Sequence, residues 1–124
     1  MGHWVDVHNR TQDRHVLTAR RCDSFACRLR GLTFRRSLPP GEGLLLVEAT
    51  SGRAQTAIHM AMVFMSLGVV WLDEALRVVD VRLARPWRIY IPTTPARYVL
   101  EGGPGVLECV ARGDQLELHD ARVE

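Results

Sequence analysis

Apolar and polar residues take turns along much of this chain, and that period of two constrains the fold more than any other feature. Val79, Val81 and Leu83 alternate with Asp80 and Arg82; Trp87, Ile89 and Ile91 alternate with Arg88 and Tyr90; Leu116 and Leu118 alternate with Gln115, Glu117 and His119. Successive side chains of a strand point to opposite faces, so each run predicts a strand with one face buried. Further strands are expected over residues 4–8, 15–20, 43–48, 57–62, 69–73 and 96–101. Pro39-Pro40-Gly41, Arg85-Pro86 and Gly102-Gly103-Pro104-Gly105 punctuate them as turns. Many short strands at this spacing predict a mainly β domain, a sandwich or a partly closed barrel.

Two short helices are expected to interrupt the strands. Asp23 or Ser24 can cap the first, which would place Phe25, Leu29 and Leu32 on one face. Pro104 suits the start of the second, with Val106, Leu107 and Val110 facing inward and Gly113 suited to its end. At 124 residues, 47% hydrophobic and 24% charged, the chain has the size and composition of one compact domain spanning 1–124.

The most apolar stretch, residues 57–72, is too short for a membrane span and is broken by His59, Ser66 and Gly68; it reads as two strands and a bend. The first ten residues carry no apolar run of signal-peptide length, so the expected location is cytoplasmic, with no membrane partner. Cys22, Cys27 and Cys109 form an odd set without C-x-x-C spacing. Three free thiols are therefore expected, Cys22 at a strand end, Cys27 on the first helix and Cys109 on the second.

The chain is rich in arginine: all sixteen basic side chains are Arg, and the net charge is +2. GC-rich codons account for such a bias without any function. Residues 1–36 hold eight Arg against Asp6, Asp13 and Asp23, so the first third is basic and the remainder acidic. Pairing of the two ends across a folded domain explains this, whereas nucleic-acid binding would want exposed aromatics among the arginines, and only Trp4, Phe25 and Phe34 stand there.

From Arg28-Leu29-Arg30-Gly31-Leu32-Thr33-Phe34-Arg35 into Leu38-Pro39-Pro40-Gly41-Glu42-Gly43-Leu44-Leu45, the chain resembles the bacterial and archaeal family known as domain of unknown function 192. Arg28, Gly31, Leu32, Arg35, Gly43 and Leu44 occupy the family's places, and Met60, Val69 to Asp73, Arg85-Pro86-Trp87, Ala96 to Glu101 and Gly113-Asp114 continue the match over about residues 15–118. The resemblance implies a compact, mainly β domain and no established activity. Where the family carries Asn, Thr and Asp, this chain has Met62, Val63 and Gly68, and Thr33 replaces a family Met. Loss of that amide, hydroxyl and carboxylate predicts that residues 60–68 form a packed apolar feature in place of a polar active site.

Arg28 and Arg35, seven residues apart with Gly31 between them, could hold one anion if a helix persists through them; alternatively each pairs with a carboxylate such as Glu48 or Asp80. His59, Met60 and Met62 suggest a soft-metal site, but alternation along a strand sends His59 away from both methionines, and core packing is the expected role of the methionines. Trp71 and Trp87 are expected in the core, where one of them could instead floor a pocket. No short catalytic motif is present. The candidate ligand-binding residues are Arg28, Arg35, Gly31, His59 and Trp87; no catalytic residue, metal or cofactor is assigned. The expected function is a non-enzymatic binding or accessory module. Its alternatives are an enzyme or binder of a small anionic ligand using Arg28 and Arg35, and weak nucleic-acid binding through the basic first third.

Overall fold

A computed structural model describes residues 3–23, 27 and 37–121 of the 124. The strands are β1 (His3–Asn9), β2 (Arg14–Cys22), β3 (Glu42–Gly52), β4 (Ile58–His59), β5 (Leu67–Leu72), β6 (Val78–Ala84), β7 (Ile89–Tyr90), β8 (Ala96–Gly102) and β9 (Leu116–Asp120). Seven make one sheet in the order β6-β5-β8-β3-β2-β1-β9, while β4 and β7 pair apart from it. Every neighbouring pair in the large sheet is antiparallel except β2 and β3, which run parallel from Thr18 opposite Glu42 to Cys22 opposite Leu46. Parallel neighbours require a crossover, and residues 23–41 supply it.

Alternation builds two cores on the two faces. Val5, Val7, Leu17, Ala19, Leu45, Val47, Val70, Leu72 and Leu100 bury the first face. Leu44, Leu46, Val69, Trp71 and Val99 bury the second with Ile58, Met60, Val63 and Leu67. Because β5 is covered on both sides, it reads as a nearly continuous apolar run. Val106 and Val110 close over the first face, and Gly102 permits the approach: a Cβ there would stand 2.7 Å from Leu17 Cδ2 and 2.9 Å from Val106 Cγ2.

Three sequence-based expectations need correction. The sandwich is not borne out, since seven strands share one sheet; that sheet is not closed, although among the described residues its outer strands meet at the bridge between Arg77 and Gln115, just before β6 and β9. The covering layer of a sandwich fails to form because β4 and β7 are two residues long, their neighbours Met62 and Trp87 turning at φ 60° and 68°. Of the two expected helices, the second is not borne out. Residues Pro104–Glu108 form a single 3-10 turn, beyond which the Asp114 carboxylate accepts the Ala111 N–H and bends the chain away. The first predicted helix lies outside the described residues except for Asp23 and Cys27.

Finally, Cys22 and Cys27 are joined in a disulfide, their Cα atoms 5.6 Å apart, and Cys109 is the free thiol. Three thiols were expected on the premise that Cys22 and Cys27 face different neighbours. Both instead pack on the second core.

Candidate functional site

The alternation at 87–91 is inverted relative to expectation. Trp87, Ile89 and Ile91 are 62%, 72% and 48% exposed, so the apolar side of this run faces solvent. Trp71 takes the core role alone, fully buried with its indole N–H donating to the Thr56 carbonyl at 2.7 Å. The reversal follows from what β7 has to pair with: Ile89 and Tyr90 join only β4, opposite His59 and Ile58, and Tyr90 turns inward onto the second core. The Tyr90 hydroxyl accepts the Arg85 N–H at 2.9 Å, which closes the 85–90 loop.

A second turn lies alongside. The Met60 N–H donates to the Arg88 carbonyl at 2.7 Å, and the Trp87 N–H donates to the Met60 carbonyl at 2.8 Å. Met62 and Phe64 then emerge beside Trp87, the Phe64 and Trp87 rings meeting edge to face with centroids 6.3 Å apart. Left-handed backbone is unusual for bulky residues, yet both turns place one there, Met62 and Trp87. The result is a cap of Met62, Phe64, Trp87, Ile89 and Ile91, all exposed, above a buried base of Ile58, Met60 and Val63.

Of the predicted site residues, His59 and Trp87 are both exposed and lie on the two paired segments; His59 is in register with Ile89, while Trp87 donates its backbone N–H to the Met60 carbonyl. Arg28, Gly31 and Arg35 lie outside the described residues. The methionines do not share a strand face: the strand ends at His59, leaving Met60 fully buried and Met62 exposed. The packed feature expected over 60–68 is therefore divided, with Met60, Val63, Leu67 and Gly68 buried and Met62 and Phe64 outside. Among the described residues no three His, Cys, Asp or Glu side chains converge as metal ligands.

Electrostatics sets the cap apart. Neither residues 49–72 nor 81–100 contain an Asp or Glu, whereas Arg85 and Arg88 flank Trp87 and are exposed. The remaining buried carboxyls differ in kind. Asp80 is held below the usual carboxylate range: burial alone would raise it, but the Thr93 N–H, Arg112 at 2.7 Å and Arg82 outweigh that. Asp114 is also lowered, burial being outweighed by Asn9, the Ala111 N–H and Gln12, and it ties the 9–12 turn to the 109–114 loop. Both are structural anchors. Glu101, 4% exposed, stands in register between Leu44 and Val69 on the second face, and burial raises it to about 7.

A profile of DUF192, described as "Uncharacterized ACR", matches residues 7–118. The chain belongs to the DUF192 family. Its relatives carry the name UPF0127 protein. One from Pyrococcus horikoshii is 40% identical over 88 residues, 71% of this chain and 74% of that protein. One from Pyrococcus furiosus is 33% identical over 112 residues, 88% and 94% of the two. One from Thermococcus gammatolerans is 39% identical, and the chain spans 60% of its length. A solved protein of unknown function from Novosphingobium aromaticivorans superposes with a TM-score of 0.76 at 22% identity, covering 92% of this chain and 83% of that one; the likeness is one of fold.

Sequence reasoning missed Phe64, Ile89 and Ile91 as surface residues and passed over Glu101. Two signals were present: the absence of acids from both cap segments, and a carboxylate set in the apolar run Val99-Leu100-Glu101.

Proposed function

We propose that this DUF192 domain works by binding, without catalysis, and that its recognition surface is the cap around Trp87. The observation that carries the reading is the concentration of exposed large apolar side chains, Met62, Phe64, Trp87, Ile89 and Ile91, on two adjoining turns. Isolated exposed hydrophobics need no explanation, but a cluster that includes an aromatic pair and two strained backbone positions does. A second reading, a small anionic ligand held by Arg28 and Arg35, rests on the sequence, where the two arginines stand seven residues apart with Gly31 between them.

Thermal-shift measurements on the natural protein and a Trp87→Asn/Ile89→Ser variant separate the two. Asn accepts left-handed backbone and both sites are exposed, so the variant should fold with little loss. Soluble dioctanoyl phosphatidylglycerol, an acidic amphipathic peptide, single-stranded DNA and inorganic phosphate serve as probes. At least one amphiphilic or polymeric probe should raise the melting temperature of the natural protein and not of the variant. Stabilisation by phosphate alone, equal in both, would move recognition to the arginines and sink the cap.

A further inference from the structure

We propose that the occupant of the cap is the surface of an anionic bilayer, into which Trp87, Phe64 and Ile89 insert while Arg85 and Arg88 meet lipid phosphates. The inference rests on the reading of the cap as the recognition surface and adds its partner. The sequence suggested no membrane partner because it contains no span, and no described helix is long and apolar enough to cross a membrane. Lying on a bilayer needs no span; it needs exposed apolar side chains beside cationic ones.

Three observations select this occupant. Met62 and Trp87 sit on turns, at φ 60° and 68°, and Ile89 follows on the short strand β7, which presents them as projecting tips for insertion between headgroups. Charge complementarity excludes an isologous second copy, since that would set Arg85 and Arg88 of each chain against each other on a face whose segments hold no acid. Composition disfavours nucleic acid: single strands bind by stacking on aromatic faces, whereas the most exposed cap residues include the aliphatic Ile89 and Ile91. Trp beside Arg at an apolar tip is the pairing that an anionic interface rewards, the indole body in the acyl boundary and the guanidinium at the phosphate.

The test is flotation of the full chain with vesicles of equal parts phosphatidylglycerol and phosphatidylcholine, against vesicles of phosphatidylcholine alone. Partitioning should favour the anionic vesicles and weaken with added salt. Trp87→Asn should reduce it about tenfold, and Arg85→Gln and Arg88→Gln about fivefold each, with thermal midpoints close to that of the natural protein. Brominated lipid should quench the natural protein's tryptophan fluorescence and lose most of that effect in Trp87→Phe, because Trp71 is buried and the half-buried Trp4 lies on β1, outside the cap. Equal partitioning into both vesicle types, or partitioning indifferent to these substitutions, overturns the proposal. Cap-dependent binding of the acidic peptide or of single-stranded DNA without vesicle binding also overturns it, while leaving the cap as recognition surface; if the cap substitutions alter no binding at all, both readings fall together.

Discussion

Glu101 is a carboxyl where a strand pattern would place an aliphatic side chain. Leu44 and Val69 flank it in register, and burial raises its pKa from 4.5 to about 7. Between those values the folded chain holds a proton that the unfolded chain has released. Stability therefore falls as pH rises through this window, by up to about 1.4 kcal/mol per unit, and levels off above the folded pKa. Glu101→Gln removes the ionisation and keeps the shape. It should be more stable than the natural protein by about 3 kcal/mol at mildly alkaline pH, with the gap closing as pH falls toward the unfolded pKa. Urea unfolding across the range checks this, and parallel stability curves for the two proteins would refute it. At the same scale, what the sequence concealed was backbone: nothing in Ala61-Met62 or Pro86-Trp87 marks a left-handed residue, since such signals are carried by Gly and Asn.

Periodicity located the large strands well, and the edges of β1, β2, β5, β6, β8 and β9 fall within a few residues of where alternation put them. It could not say which side of a run is wet. The same apolar stripe that buries Val5 and Val7 in β1 exposes Ile89 in β7, because burial depends on having a neighbouring sheet to lie against, and β7 has only β4. Close approach is the other element-scale quantity that hydropathy does not encode. A Cβ on Gly43 would collide with the backbone carbonyl of Glu101 on the adjacent strand, so β3 and β8 lie together only because position 43 has no side chain. Gly103, by contrast, faces open space with φ −65°, a conformation any residue adopts. Gly43→Ala should accordingly cost about 3 kcal/mol or more through forced separation of the ladder, and Gly103→Ala should stay within about 1 kcal/mol of the natural protein. Equal effects in chemical denaturation would show that the β3–β8 contact is not what requires glycine.

At the scale of the molecule, long-range pairing is what a single sequence could not show. That β8 lies between β3 and β5, or that β2 and β3 run parallel, depends on contacts among residues tens of positions apart, and alternation is identical for every such arrangement. The resemblance to DUF192 supplied the mainly β class but not the order. The crossover made necessary by the parallel pair has its own fastening: Cys22, the last residue of β2, is bonded to Cys27, and Cys27 and Leu38 both pack on the second core, so the described parts of the crossover lie over that face. A bond across a separation of 5 residues closes a short loop, and the loop-entropy relation assigns it about 2 kcal/mol. This contribution acts mainly on the unfolded chain, which regains the freedom of residues 22–27 on reduction. Oxidised protein should therefore show one titratable thiol after unfolding, Cys109, and three after reduction, and its unfolding free energy should drop by about 2 kcal/mol with reductant while Cys109→Ser leaves that drop unchanged. Three reactive thiols in protein equilibrated with an oxidising glutathione buffer would refute the pairing. A drop in stability that disappears in Cys109→Ser would instead place the redox-sensitive bond elsewhere than at the mouth of the crossover.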